Sequence, residues 1–122
     1  MATLLRHALI IEDDVIIALE LELLLRELGL ASVEIARSPQ EALTEAMRRR
    51  PDLITADVQI IGGTGIEAIQ AIVRELGEIP YFFVTGNLDM LRNTVAPAVV
   101  EKPISHQEFR RAFETIAGAP SG

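Results

Sequence analysis

Five side chains in this sequence are of types that do ionic chemistry together: the pair Glu12-Asp13, then Asp57, Thr85 and Lys102. Each closes or follows a short apolar run: Ala8-Leu9-Ile10-Ile11, Asp52-Leu53-Ile54-Thr55 leading through Ala56, Tyr81-Phe82-Phe83-Val84, and Ala98-Val99-Val100. Carboxylates gathered at one place raise one another's pKa unless a cation neutralises them. A hard divalent ion with oxygen ligands does so, and Mg2+ in particular takes one or two carboxylates and keeps waters that a phosphate oxygen can displace. Lys102 adds a positive charge of the point-like kind that suits phosphate, and the Thr85 hydroxyl can donate to another phosphoryl oxygen. Asp57 then stands as a nucleophile, because carboxylates form covalent aspartyl phosphates. Taken singly these residues have plainer roles: an acidic pair after a strand commonly caps a helix, and a strand-ending Asp commonly opens a turn. Their joint occurrence at four successive strand ends is what carries the chemical reading.

The elements that must position them alternate. After the first apolar run, Val15 to Leu28 has apolar residues at helical spacing with Glu20, Glu22, Arg26 and Glu27 on the wetter side; Asp14 is its cap and Gly29 its stop. Ser32-Val33-Glu34-Ile35-Ala36 alternates and reads as a more exposed edge strand. Ser38-Pro39-Gln40-Glu41 is a helix start with a capping box, and the helix runs to about Arg49 before Pro51. Gly62-Gly63-Thr64-Gly65 reads as a loop, more mobile for its glycines, from which Thr64-Gly65-Ile66-Glu67 opens a helix ending at Gly77. Leu88 to Val95 is the weakest helix, poorly supported by Gly86, Asn87, Asn93 and Pro97. Ser105-His106-Gln107-Glu108 opens the last helix, to about Ala117, and Gly118–Gly122 reads as a frayed tail.

This is a βα unit repeated five times, an α/β chain whose strands form a parallel sheet with helices on both faces. The expected strand order is 2-1-3-4-5, the flavodoxin-like doubly wound arrangement, with its switch point between strands 1 and 3. That order makes the ends of strands 1 and 3 neighbours, so Glu12, Asp13 and Asp57 converge, with Thr85 and Lys102 on one flank.

Composition narrows the classes further. The chain has 122 residues, enough for one domain with a single core, and no cysteine for a disulfide, thiol nucleophile or thiolate metal site. A formal charge of −7 argues against direct nucleic-acid binding, which needs a basic footprint. Arg48-Arg49-Arg50, the only basic cluster, sits where cations complement a helix C-terminus. No stretch has the length of a membrane span or the pattern of a signal peptide, so a cytoplasmic location is expected. His7, before a strand, and His106, in the first turn of the last helix, have no paired nucleophile.

From about residue 7 to 117 the chain resembles the receiver domains of two-component response regulators. Glu12-Asp13 are similar to the family's acidic pair, Asp57 to its phosphoacceptor, Thr85 to its switch hydroxyl and Lys102-Pro103 to its Lys-Pro signature. The resemblance implies Mg2+ held by Asp13, Asp57 and the backbone carbonyl of Gln59, with Glu12 acting through water, and a cis peptide before Pro103 that aims Lys102 inward. It also implies a histidine kinase or histidine phosphotransfer protein as phosphoryl donor. Ala56-Asp57-Val58-Gln59 and Phe83-Val84-Thr85-Gly86 are similar to an alphaproteobacterial Phe-x-Thr-Gly subgroup, some members of which accompany a sigma-factor-mimicking partner switch. Three features depart from the family: Val99 stands where an aromatic is usual, Ile60-Ile61-Gly62-Gly63 lacks the usual proline, and the interval from Thr85 to Lys102 is short, so the fourth helix is expected to be abbreviated or irregular.

The expectation is therefore a stand-alone receiver without an output domain, not an enzyme, monomeric or dimerising on phosphorylation. It would signal to an unknown downstream protein by contact or by onward phosphotransfer. Two rivals remain. One is a receiver-like module that binds partners without phosphorylation. The other is a Mg2+-dependent phosphohydrolase with Asp57 as nucleophile, although such enzymes want a second Asp where this chain has Gln59.

Overall fold

The structure, a computed structural model, describes residues 5–118; all of the expected tail beyond Gly118 lies outside them. In chain order the elements are β1 (His7–Ile11), α1 (Val15–Glu27), β2 (Ser32–Ala36), α2 (Pro39–Arg48), β3 (Leu53–Ala56), β4 (Gln59–Ile60), β5 (Gly63–Thr64), α3 (Gly65–Leu76), β6 (Tyr81–Thr85), a 3-10 turn (Leu88–Leu91), β7 (Val99–Glu101) and α4 (His106–Ala117). The main sheet is five-stranded, in the order β2-β1-β3-β6-β7, and every pairing in it is parallel. Counted along the chain without the two short strands, that is the expected 2-1-3-4-5.

Strand β1 is buried at every residue, so it needs cover on both faces. Its side chains alternate between two cores. Leu9 and Ile11 join Ile54, Ala56 and Phe83 against Ala42 and Ala46 of α2 and Ala68, Ile69 and Ile72 of α3. Ala8 and Ile10 join Leu53, Phe82 and Val84 against Ala18, Leu21 and Leu25 of α1 and Phe109 of α4. Phe82 packs edge-on against Phe109 with ring centroids 5.3 Å apart. β2, half-buried at four of its five residues, takes the edge position anticipated for it.

Helix starts follow the side-chain pattern closely. Asp14 accepts from the Ile16 and Ile17 N–H groups at 2.9 and 3.1 Å. Thr64 and Glu67 form a complete reciprocal box at the start of α3. At α2, Ser38 accepts from the Glu41 N–H as expected, but Glu41 returns its bond to the N–H of Arg37, one residue before the cap. Each such cap is worth about 1 kcal/mol.

The crossover between β6 and β7 carries no α-helix, only the 3-10 turn, in keeping with the abbreviated or irregular fourth helix expected there, because Gly86, Asn87 and Asn93 are poor helix formers and Pro97 removes a donor; Leu91 is buried in the core and Ala96 packs against it. Three expectations need correction. The stretch after Asp57 is not an irregular loop but an antiparallel hairpin, Gln59 opposite Thr64 and Ile60 opposite Gly63. Gly62, at φ +81°, occupies the turn position that a type II geometry reserves for glycine. The outer side of α1 is less wet than its charges imply, since Val15, Ile16, Leu19 and Leu23 are all more than half exposed there. In the basic cluster, Arg50 serves a different helix end from its own: it donates to the carbonyls of Leu76 and Glu78 at the C-terminus of α3.

His7 lies inside the first strand rather than before it. It is buried, and its Nδ1 is 2.8 Å from the Ser32 hydroxyl. Burial, helped by the charge of Arg49, holds its pKa below the usual histidine value. The unfolded chain therefore binds this proton first as pH falls, and the native state loses stability from about pH 6.5 downward. Between pH 7.5 and 5.5 the wild-type melting temperature should fall further than that of His7→Gln; equal falls would show that His7 titrates the same way folded and unfolded.

Candidate functional site

The site residues are fixed by the last rungs of the sheet. The Asp57 N–H donates to the Ile11 carbonyl at 2.9 Å, the Glu12 N–H to the Ala36 carbonyl at 2.9 Å, and the Lys102 N–H to the Thr85 carbonyl at 3.0 Å. Parallel pairing thus brings the ends of β1, β3 and β7 to one edge, although β7 is separated from β3 by β6. The Lys102 side chain spans that interval. Its Nζ lies 2.7 Å from Asp57 Oδ2 and 2.8 Å from Glu12 Oε1.

These are largely dehydrated contacts, with the side chains of Lys102, Asp57 and Glu12 only 16%, 11% and 1% exposed. Burial pushes the Glu12 carboxyl above the usual range and the Asp57 charge adds to that, while the Lys102 hydrogen bond partly offsets both. Burial alone would lower the Lys102 pKa, but its bonds to Asp57 and Glu12 outweigh that and leave it raised. The ammonium form is therefore the one the site holds.

Asp13 completes the acidic set. One carboxylate oxygen from each of Glu12, Asp13 and Asp57 lies within 4.8 Å of the others. Three carboxylates face one ammonium, a net −2, and the donors are hard oxygens; that set fits a hard divalent cation. The fit is best at Asp13 and at Asp57 Oδ1, because neither has a hydrogen-bond partner among the described residues. Glu12 differs: Oε1 accepts from Lys102 and Oε2 from the Asp14 N–H at 3.2 Å. Gln59 opens the β4–β5 hairpin two residues past Asp57.

Thr85 is fully buried at the end of β6, but its hydroxyl accepts from the Asn87 N–H at 3.0 Å rather than meeting Lys102 or Asp57. The Lys102-Pro103 peptide is cis, as the resemblance implies. Val99 lies on the outermost strand and is 39% exposed.

One residue of the site was not singled out from the sequence. Gly65 begins α3, and a Cβ there would lie 2.0 Å from the Asp57 carbonyl oxygen and 3.2 Å from the Ala56 Cβ. Its own N–H closes the hairpin on the Val58 carbonyl at 2.8 Å. The only signal in the sequence is a glycine directly after the cap Thr64, where a helix ordinarily favours almost anything else. Replacing a helical Gly by Ala normally gains about 1 kcal/mol. Gly65→Ala should instead cost about 1–3 kcal/mol in urea unfolding, because the backbone of Asp57 must move. A gain would show that the Asp57 peptide yields freely.

This geometry has relatives. Residues 8–114 match the family model described as response regulator receiver domain. Among curated proteins, the phyllosphere-induced regulator PhyR of Methylorubrum extorquens is 39% identical over 80 residues, 64% of this chain and 30% of that protein. The transcriptional regulatory protein PdtaR of Mycobacterium tuberculosis is 32% identical over 113 residues, 89% of this chain and 55% of that protein. The chain thus spans between about a third and about half the length of these relatives. Among solved structures, the PhyR receiver domain of Erythrobacter litoralis superimposes with a TM-score of 0.81 at 28% identity, covering 99% of this chain and 96% of that one. PhyR from Brucella abortus does so at 0.83 and 28% identity, over 95% of this chain and 49% of that one. The PhyR likeness agrees with the alphaproteobacterial subgroup indicated by the Phe83-Val84-Thr85-Gly86 segment. With a family match that runs from the first strand of the sheet into the last helix, this chain belongs to the response regulator receiver domains of two-component signalling.

Proposed function

We propose that this receiver takes a phosphoryl group on Asp57 from a phosphohistidine of a histidine kinase or phosphotransfer protein. The observation that carries the reading is the Lys102 ammonium 2.7 Å from Asp57 Oδ2, with Oδ1 left without a hydrogen-bond partner among the described residues. In the transfer, a carboxylate oxygen of Asp57 attacks phosphorus in line, the P–O bond forms as the P–N bond of the donor breaks, and the electron pair leaves with the imidazole nitrogen. Lys102 offsets charge on the phosphoryl oxygens throughout. Asp13, Asp57 and the Gln59 carbonyl would hold Mg2+, and Glu12 reaches such an ion at most through water because its oxygens already have protein partners. When bound, that ion supplies a second neutralising charge on the phosphoryl oxygens.

Once Asp57 is phosphorylated, the Thr85 hydroxyl can exchange its bond with the Asn87 N–H for one to a phosphoryl oxygen. That exchange draws the 86–97 crossover and biases a two-state equilibrium. The signal then leaves by contact with a downstream protein or by onward phosphotransfer. PhyR of Bartonella quintana is described as an anti-anti-sigma factor, which supports a protein rather than a nucleic acid as the target here. No helix among the described residues is long and apolar enough to cross a membrane, which accords with a cytoplasmic location. The exposed Val15, Ile16, Leu19 and Leu23, on the helix directly after the acidic pair, form an apolar face of the kind that partners cover.

Incubation with a small acyl phosphate and Mg2+ should add the mass of one phosphoryl group to the wild type and nothing to Asp57→Asn. An unchanged wild-type mass, or equal labelling of both, would sink the proposal. The alternative of a phosphorylation-independent binding module is favoured by Val99 and by the helix-free crossover, which together remove the usual parts of the readout. Equal partner affinity for wild type and Asp57→Ala would decide for it.

A further inference from the structure

We propose that Pro39, the first residue of α2, and Gly63 are positioning residues for a divalent cation: the proline ring backs the hairpin turn and so fixes the place of the Gln59 carbonyl. The inference rests on the reading of Asp13, Asp57 and that carbonyl as the ligands of the cation. The two aspartates offer oxygens on side chains that can adjust by rotation, whereas a backbone carbonyl moves only with its backbone. Mg2+ tolerates little misplacement, since it demands nearly octahedral coordination. The accuracy of the third ligand is therefore a property of the β4–β5 hairpin and of what supports it.

The hairpin ladder does not consume that carbonyl. The Gly65 N–H donates to the Val58 carbonyl at 2.8 Å, so Gln59 and Thr64, the next pair inward, are a pair of the antiparallel ladder that exchanges no bonds. The Thr64 N–H goes instead to Glu67 Oε1 at 2.8 Å. Val58 and Ile60, on either side of Gln59, are buried in the core and pin β4. The turn has no such hold, because Gly62-Gly63 offers no side chain to bury. Pro39 supplies it from outside. A Cβ on Gly62 would lie 3.8 Å from Ser38 Cβ and 3.9 Å from Pro39 Cδ, which are ordinary contact distances. One on Gly63 would lie 3.0 Å from Pro39 Cγ and 2.7 Å from Glu67 Oε1, which leaves no room for a side chain. The turn thus rests on the start of α2. That support is stiff: proline has a fixed φ and no rotamer freedom to lose, and Ser38 beside it is held by the Glu41 N–H at 3.1 Å.

Calorimetric titration of the metal-free protein with MgCl2 measures the effect. Gly63→Ala touches no ligand, yet it should weaken Mg2+ binding by about tenfold, the loss typical when a group that orients a ligand is disturbed. Pro39→Ala withdraws the ring that the new methyl meets, so in that background Gly63→Ala should cost less than about twofold. Affinity is read on folded protein, so a general loss of stability does not produce this pattern. Amide exchange of the metal-free proteins gives a second readout. The Gly65 N–H should be protected in wild type, lose about tenfold in protection in Gly63→Ala and regain most of it in the double variant. Should Gly63→Ala fold poorly, Pro39→Ala alone adds no bulk and should weaken Mg2+ binding by about twofold or more.

Unchanged Mg2+ affinity in both single variants would overturn the inference. So would a loss in Gly63→Ala that Pro39→Ala leaves undiminished, which is what displacement of Glu67 alone predicts. Wild-type protein that binds no Mg2+ would refute the reading of the ligand set instead, and the exchange of the Gly65 N–H would still decide whether Pro39 backs the hairpin.

Discussion

Asp57→Asn is expected to raise the melting temperature of the metal-free protein while removing phosphoryl uptake altogether. The wild-type cluster puts three carboxylates around one ammonium, and the charge of Asp57 is one of the causes that lift the Glu12 pKa. Asparagine keeps the shape and an oxygen that can accept from Lys102, but it removes repulsion from Glu12 and Asp13 at once. Set against the lost attraction to Lys102, the net gain should be on the order of 1 kcal/mol, or roughly 3–6 °C for a domain of this size. Mg2+ should reverse the order, because it stabilises whichever form binds it better in the folded state. Scanning calorimetry of both proteins with and without Mg2+ makes the check. A variant that melts below wild type without Mg2+ would mean that the Asp57–Lys102 attraction outweighs the repulsion.

The parts of this site that were legible in the sequence share a physical cause. A buried parallel strand excludes charge, so its end is marked where a charged residue first appears, as at Glu12 and Asp57. Parallel strands joined by right-handed crossovers have few possible orders, and that restriction is what brings Glu12 within reach of a lysine 90 positions away. Two kinds of feature escaped. The hairpin after Asp57 escaped because Ile61-Gly62-Gly63 also suits an irregular loop; it is the pairing of Gln59 with Thr64 and the bond between the Gly65 N–H and the Val58 carbonyl that make it a hairpin. Gly65 itself escaped because its role depends on the nearness of the Asp57 carbonyl, which no local pattern records. The direction of the Thr85 hydroxyl belongs to the same kind, since an oxygen at a strand end serves its own turn until a stronger partner arrives. Glu12 was found as an acid but not as the anchor of Lys102: residue type gives the charge, and only the geometry gives the partner.

Lys102→Met should shift stability the other way. It leaves the long apolar stem in place and removes only the ammonium, so Glu12 and Asp57 lose the charge that both contact. Stranding a buried carboxylate costs about 3 kcal/mol or more, and the nearly complete burial of Glu12 puts most of that cost there. The phosphoryl oxygens also lose a fixed positive charge, which should slow uptake by about a hundredfold. The pH dependence identifies the group responsible. A carboxyl whose folded pKa is raised, as that of Glu12 already is, contributes stability that is present below its unfolded pKa of about 4.5 and is lost as pH rises through the folded value. Removing Lys102 raises the folded value further, so the deficit relative to wild type should grow from pH 5 to 7, as read from urea unfolding at each pH. Adding Glu12→Gln should recover most of that deficit while leaving uptake as slow as in Lys102→Met. A deficit independent of pH, or one that Glu12→Gln does not relieve, would place the cost in lost packing of the stem end rather than in a stranded charge.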